Sequence, residues 1–293
     1  MKTLFRKIAA ITFTISGLVY GQTKAQAPKD NSLLWEISGN GLDKPSYLYG
    51  TMHLMCKGDF EIREKVKTAF NNTSSVVFEA NLFDPAELAD ATAGFRAGTP
   101  LLQRISVKDY HVVDSILKAA LDPAASLKQY DSSRLSVVQS AIATKGFSCQ
   151  DLMMYEYELL KMAKKTNKTV NVFEKLKEQI VYFNNAYPDS FVIAQLKKLD
   201  IKKNQLETAK MVGYYRAEGL DMLYRHITNP ESMTPQEAYW ILNLRNNNWI
   251  AKMPAMMQKE SNFFAVGAAH LGGEKGLIAQ LRAKGYQVKP ILN

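Results

Sequence analysis

The chain of 293 residues holds four histidines, and two of them share one local setting. In Tyr47-Leu48-Tyr49-Gly50-Thr51-Met52-His53 and in Phe263-Phe264-Ala265-Val266-Gly267-Ala268-Ala269-His270, an apolar run meets a glycine, two small or medium residues follow, and an imidazole comes next. Glycine lets a chain turn sharply where a strand ends. An imidazole just past that turn can face the crevice at the carboxyl ends of the strands, the edge where open α/β sheets take up ligands. Glu79, directly after Ser75-Val76-Val77-Phe78, also stands at the carboxyl end of a short apolar run. Two imidazole nitrogens and one carboxylate suit a catalytic zinc, manganese or cobalt ion, which keeps a position open for water and lowers that water's pKa towards neutrality. His53, His270 and Glu79 are therefore candidate metal ligands and catalytic residues. From the residues alone, capping the turn is an equal reading for Glu79, and capping or core packing is the alternative for either histidine. Cys56 lies close enough to His53 in sequence to add a soft ligand.

Arg245-Asn246-Asn247-Asn248-Trp249 concentrates a guanidinium fork and amides at a predicted helix end. Such groups orient carboxylates or carbonyls, so Arg245 and Asn246 are candidate substrate-binding residues; hydrogen bonding at a surface is the plainer alternative. His111 and His226 fall in helical stretches and read as surface or core residues. Nothing in the chain matches His-Glu-x-x-His, Gly-x-Ser-x-Gly or a phosphate-binding P-loop. Gly267 to Gly273 has the glycine content of a phosphate loop, but His270 fills it and no acidic residue is placed to bind a ribose.

These residues need a sheet to hold them. Residues 32–38 and 46–49 read as strands joined by a Gly39-Asn40-Gly41 turn. Apolar spacing predicts a helix over 60–70 with Asp59 as its N-cap, then a strand over 75–78. Strand, turn, helix, strand is a β-α-β unit, which favours a parallel pair. Helical spacing dominates the middle: 84–92, 107–121, 134–145 and 151–166. A strand over 169–173 and a helix over 174–184 follow, then one long helical stretch from Pro188 to about His226. Pro235 suits the first turn of a helix carrying Trp240 and Arg245, with another over 249–259. The end repeats the opening plan: strand 262–266, turn 267–270, helix 274–284 closed by Gly285, strand 286–292. The predicted fold is α/β, with a mixed central sheet formed by the two terminal β-α-β units and a largely helical middle insertion.

The first residues read as a signal peptide rather than as structure. Lys2, Arg6 and Lys7 precede the uncharged, mostly apolar stretch from Ile8 to Tyr20, and small residues favour cleavage after Gly21. Residues 22–31 read as a flexible leader and 32–293 as one domain. The expected destination is periplasmic or extracellular, with no stable membrane span after cleavage. Losing three basic residues lowers the formal charge from +9 to +6. The basic cluster at Lys197, Lys198, Lys202 and Lys203 is interrupted by Asp200 and lacks interleaved aromatics, so no nucleic-acid partner is expected. Cys56 and Cys149 form either one disulfide or two separate buried thiols; the sequence does not choose between them.

In order and spacing, SLLWEIS, YLYGTMHL, VVFEAN, Val170-Asn171-Val172-Phe173-Glu174, RNNNWIAKM and FFAVGAAHLGGEKGLIAQLRAKGYQV resemble the TraB/GumN/PrgY family, which includes the Tiki ectodomains. They cover most of the chain after the leader, and the C-terminal piece is the most specific. The family reads closer to Leu-Glu-Thr where this chain has Phe173-Glu174-Lys175, so the resemblance assigns no role to Glu174 or Gln179. It implies an erythromycin-esterase/ChaN-like fold and, for Tiki-like members, metal-dependent hydrolysis of a peptide or protein substrate through the two Gly-x-x-His motifs, here His53 and His270, with Glu79 as the acidic partner. A metal-independent hydrolase using histidine and Glu79 is the alternative. So is a non-catalytic peptide- or saccharide-binding envelope protein linked to exopolysaccharide production.

Overall fold

The computed structural model describes residues 31–292; the expected signal peptide and nearly all of the leader lie outside them. Eight strands occur among the described residues: β1 (Leu34–Ser38), β2 (Ser46–Thr51), β3 (Met55–Cys56), β4 (Ser75–Phe78), β5 (Leu152–Met153), β6 (Thr169–Val172), β7 (Asn262–Gly267) and β8 (Gln287–Pro290). Six of them form one mixed sheet in the order β6-β4-β7-β2-β1-β8. The sheet joins both ends of the chain, with helices supplied by the middle, as the α/β pattern predicts. Every residue of β2, β4 and β7 is buried, which is why these runs are apolar without alternation: helices cover both faces of a parallel sheet. β1 is exposed in part, and the edge strand β8 alternates more openly.

One expectation about pairing is corrected. The helix Glu64–Asn71 does connect two parallel strands, β2 and β4, but these do not touch each other. β7 enters between them and pairs in parallel with both. An unoccupied place between two apolar strands is filled by the most apolar strand available, and β7 brings Phe263, Phe264, Ala265 and Val266, all fully buried.

Helix boundaries shift where side chains from elsewhere compete. The first helix begins at Glu64 with Arg63 at its N-cap, not at Asp59. Residues 60–63 are held non-helical by Tyr155, whose ring packs on Phe60 and whose hydroxyl donates to the Glu61 carbonyl at 2.9 Å. The stretch after Pro188 is three helices, Asp189–Leu196, Ile201–Arg216 and Leu220–Ile227. Asp200 caps the second by accepting from the Lys203 N–H, and Glu218 at φ 54° ends it. Pro235 does open its helix, with a Thr234/Glu237 capping box. That helix continues through a π-helical turn, Tyr239–Asn243, into Leu244–Lys259, so no separate helix starts at Trp249. The last helix is shorter than expected, Leu277–Ala283, and Gly285 at φ +90° closes it.

Two hydrophobic cores result. One surrounds the sheet; the other lies wholly among helices and holds Leu101, Val113, Leu127, Leu135, Val138 and Val192. Cys56 and Cys149 form a disulfide across 93 residues, beside the small β3–β5 ribbon. Among the described residues no helix is long and apolar enough to cross a membrane.

The loop that carries His270 is packed backbone against backbone. A Cβ on Gly276 would lie 2.2 Å from the Gly272 carbonyl oxygen and 2.3 Å from that of Leu271. Backbone cannot swing aside, so Gly276→Ala should lower unfolding free energy by at least about 1–3 kcal/mol in denaturant titration. Gly58→Ala, where a Cβ meets nothing within 4 Å, should stay within about 0.5 kcal/mol of the parent.

Candidate functional site

Three strand ends build the floor of the site. The register sets Thr51 of β2 beside Gly267 of β7, and Phe78 of β4 beside Ala265. Each strand thus releases its next polar residue at one edge: His53, His270 and Glu79. Gly267 lets them approach. A Cβ there would stand 3.1 Å from His53 Nε2 and 3.4 Å from Glu79 Oε1. Its N–H instead donates to Glu79 Oε1 at 2.7 Å. That oxygen lies 3.7 Å from His270 Nε2 and 4.0 Å from His53 Nε2. Glu79 Oε2 accepts from Arg245 Nη2 and, at 3.2 Å, from Gln179 Nε2.

The partner of each Nδ1 sets how the rings point. His270 Nδ1 is 2.7 Å from Asn246 Oδ1. Asn246 Nδ2 is committed to the His270 and Lys275 carbonyls at 3.2 and 2.9 Å, so its oxygen accepts and the ring donates from Nδ1. The His270 lone pair therefore sits on Nε2. His53 Nδ1 donates to Glu156 Oε1 at 2.8 Å, and Thr51 Oγ1 donates to the same oxygen at 2.7 Å. In its neutral form His53 likewise turns a bare Nε2 towards Glu79. Metal-binding histidines commonly have this arrangement, with the other ring N–H held by an oxygen.

Arg245 ties the carboxylates together. Its Nε donates to Glu174 Oε1 at 2.8 Å, and its Nη2 lies 2.7 Å from the same atom. Trp249 Nε1 donates to Glu174 Oε2 at 2.9 Å. Spaced one helical turn apart, Arg245 and Trp249 share a face: the guanidinium lies 4.7 Å over the indole, which also packs on the His270 ring. Arg245 Nη1 meets the Ile241 carbonyl and His270 Nε2, both at 3.2 Å. The π-helical turn just before Arg245 contains Ile241 and so helps to aim the fork.

Burial and these charges move the proton affinities apart. Burial opposes the Glu79 carboxylate, but Arg245, both imidazoles and the Gly267 N–H hold its carboxyl well below the usual range. Burial pushes His270 down to about 3. Burial works against the His53 cation as well, yet Glu156, with help from Glu79, lifts that ring to about 9.

The donor types and ring orientations fit a divalent ion. Ligands around tetrahedral zinc stand about 3.4 Å apart for bonds near 2.1 Å. The 3.7 and 4.0 Å separations to Glu79 Oε1 are a few tenths wider. As placed, no three His, Cys, Asp or Glu side chains among the described residues are drawn close enough to hold an ion. Closing on one requires that contraction and the withdrawal of Arg245 Nη1 from His270 Nε2. Glu79 and Glu174 share the Arg245 guanidinium and Glu156 lies on His53, so three buried carboxylates face one guanidinium and one imidazole, and a cation here would offset the remaining negative charge.

A cavity of about 140 Å³ opens over this floor. His53, Glu79, Glu156, Gln179, Arg245 and His270 line its polar end, and Leu82, Phe183, Met211, Leu223, Met233 and Leu242 are among its apolar walls. Asn246 lies behind His270. Cys56 is spent in the disulfide and is not a ligand here. His226 sits apart against Tyr214 and Glu207, and His111 beside Tyr110. Sequence reasoning passed over Glu156 and named Glu174 and Gln179 without giving them a role. Two of these had a legible signal. Glu174 follows Val172-Phe173 as Glu79 follows Val77-Phe78, and the chains run in register, with the Glu174 N–H on the Glu79 carbonyl. Glu156 belongs to the buried stripe Glu156, Leu159, Leu160, Ala163, an acid where an apolar residue is expected.

A family model described as the TraB/PrgY/gumN family matches residues 33–290. The zebrafish (Danio rerio) protein named Metalloprotease TIKI1 is 24% identical, covering 88% of this chain and 63% of its own. Metalloprotease TIKI2 from the same organism is 23% identical, covering 91% and 62%. The chain thus spans a little over six tenths of the length of these curated relatives. No solved structure matches it.

The two imidazoles of the metal-free chain should titrate far apart by NMR: His53 near pH 9, and His270 near pH 3. The signs for stability differ accordingly. His53 contributes fully below its unfolded value near 6.5 and loses that contribution as pH rises through 9. The unfolded chain takes up a proton at His270 between about 6.5 and 3 that the folded chain refuses, so stability falls on acidification across that window.

Proposed function

This chain belongs to the TraB/PrgY/gumN family, and from that premise we propose that it is an exported, metal-dependent hydrolase of peptide bonds. One divalent ion, zinc, manganese or cobalt, would be held by His53, His270 and Glu79. The observation that carries this reading is the pair of rings, each with Nδ1 committed to an oxygen acceptor and Nε2 turned to one Glu79 oxygen. Relatives named as metalloproteases support it at low identity. The Cys56–Cys149 bridge supports an oxidising destination, periplasmic or extracellular. In this reading the mixed sheet is a variant of the erythromycin-esterase/ChaN-like architecture.

A bound ion would polarise the scissile carbonyl and lower the pKa of the attacking water. The chain's own groups do the rest. Glu79 serves as a ligand: Oε2 is consumed by Arg245 and Gln179, and Oε1 is the oxygen facing both rings. Asn246 acts through His270, fixing its tautomer. Arg245 is the donor for the substrate carbonyl. Glu174 and Glu79 hold its Nε and Nη2, and a substrate carbonyl would take the Nη1 hydrogen that now rests on His270 Nε2. The apolar walls seat a peptide or protein segment and exclude water from the polar end.

A second reading keeps the hydrolase without the ion. It is favoured by Arg245 Nη1 resting on His270 Nε2, where an ion would compete with it. One histidine would then act as general base, with Glu79 orienting it.

Purified protein should carry about one equivalent of metal by elemental analysis, and His53→Ala and His270→Ala should lose it. Chelation should abolish hydrolysis of a peptide mixture, and zinc, manganese or cobalt should restore it. Equal, near-zero metal in all three proteins sinks the metal claim, and hydrolysis that survives exhaustive chelation selects the second reading.

A further inference from the structure

Glu156 and His53 approach the site from segments far apart in the chain, which meet through the packing of Tyr155 on Tyr49 and Phe60 and through one short ribbon. His53 leads straight into β3; β5 leads straight into the helix Tyr155–Lys165, whose second residue is Glu156. β3 and β5 pair antiparallel, Met55 opposite Met153 and Cys56 opposite Leu152. The Lys57 N–H extends the ladder to the Asp151 carbonyl at 2.9 Å. A ribbon this short is weak by itself, because an isolated strand pair is marginal even at greater length. The Cys56–Cys149 bond ties it covalently at the end away from the site. Of the carboxylate it delivers, Oε1 is held by Thr51 and His53, and Oε2 is buried with no hydrogen-bond partner among the described residues.

We propose that Glu156 is the positioning residue for His53, and that the Cys56–Cys149 bridge keeps the two in register through the β3–β5 ribbon, so that the site is fully assembled only in the oxidised chain. The inference rests on the metal-dependent reading above for its consequence, but not for its geometry. A chain still carrying thiols would have a loosened His53, and formation of the bridge would complete the site.

The test is a cycle on the full chain: parent and Glu156→Gln, each bridged and each reduced. A phosphine reductant converts the bridge to two thiols, water supplying the two hydrogens and the oxygen of the phosphine oxide. The work is done at a temperature where circular dichroism shows the reduced chain folded. Gln at 156 can still accept at the Oε1 position but loses the charge. Zinc affinity, read by competition with a chromophoric chelator, should fall by roughly 10–100-fold in bridged Glu156→Gln. It should fall comparably in the reduced parent, with little further loss when Glu156→Gln is reduced. In the metal-free chain, the His53 Hδ1 proton should be visible by NMR when bridged and broaden away after reduction. Unchanged affinity in bridged Glu156→Gln, or the same loss on reduction with and without Glu156, overturns the proposal. If the parent binds none of zinc, manganese and cobalt, the metal reading falls on its own. The Hδ1 signal then decides the positioning role: persistence after reduction overturns it, and loss supports it.

Discussion

The Glu79 carboxylate is the joint on which this molecule turns. One oxygen accepts the Gly267 N–H and faces both imidazoles; the other accepts from Arg245 and Gln179. With Glu79 itself, those groups come from three strand ends and two helices, spread from the first quarter of the chain to its last tenth. A buried carboxylate costs a great deal unless its hydrogen bonds are met. Meeting them here requires that β4, β7 and the helix Leu244–Lys259 all be in place. The same demand that stabilises the fold thereby assembles the site.

Charge balance explains why the surroundings are so densely bonded. Glu174 shares Arg245 with Glu79 and is itself held by Trp249. The indole lies under both the guanidinium and the His270 ring, so one aromatic side chain fixes the plane of two functional groups. Phe173 stacks on Trp249 and on Phe264, carrying that rigidity into the centre of the sheet. Burial depresses both histidines, yet their net shifts are opposite: His53 has the Glu156 carboxylate on Nδ1, whereas His270 has a neutral amide there and the Arg245 cation on Nε2. One ring is a proton carrier and the other a fixed lone pair, a difference set by the group behind each ring together with Glu79 and Arg245 in front.

The cavity lies where the two hydrophobic cores meet. Phe183, from the helical core, and Met211 and Leu223, from the sheet core, face one another across it. A polar floor supplied by strand ends beneath an apolar chamber supplied by helices is the arrangement expected for an α/β ligand site. Here the strand ends contribute His53, Glu79 and His270, and the helical middle contributes the apolar walls together with Glu156, Gln179 and Arg245.

By itself the sequence determined the elements whose causes are local. The apolar runs before Gly50 and Gly267, the acid after Phe78 and the Pro235 helix start follow from turn chemistry and hydrophobic spacing, which act over a few residues. Tertiary structure decided what those elements meet. Nothing in β2 or β4 announces that β7 will part them, because pairing with a strand some two hundred residues away depends on which apolar surface is left uncovered. Glu156 stands out locally as an acid on the apolar stripe of its helix, but nothing local names His53 as its partner, and the open choice between a disulfide and two thiols could not be settled by spacing. Both were decided by the ribbon that sets Cys56 beside Cys149 and Glu156 beside His53, since proximity in space is a property of the folded chain and not of any segment of it.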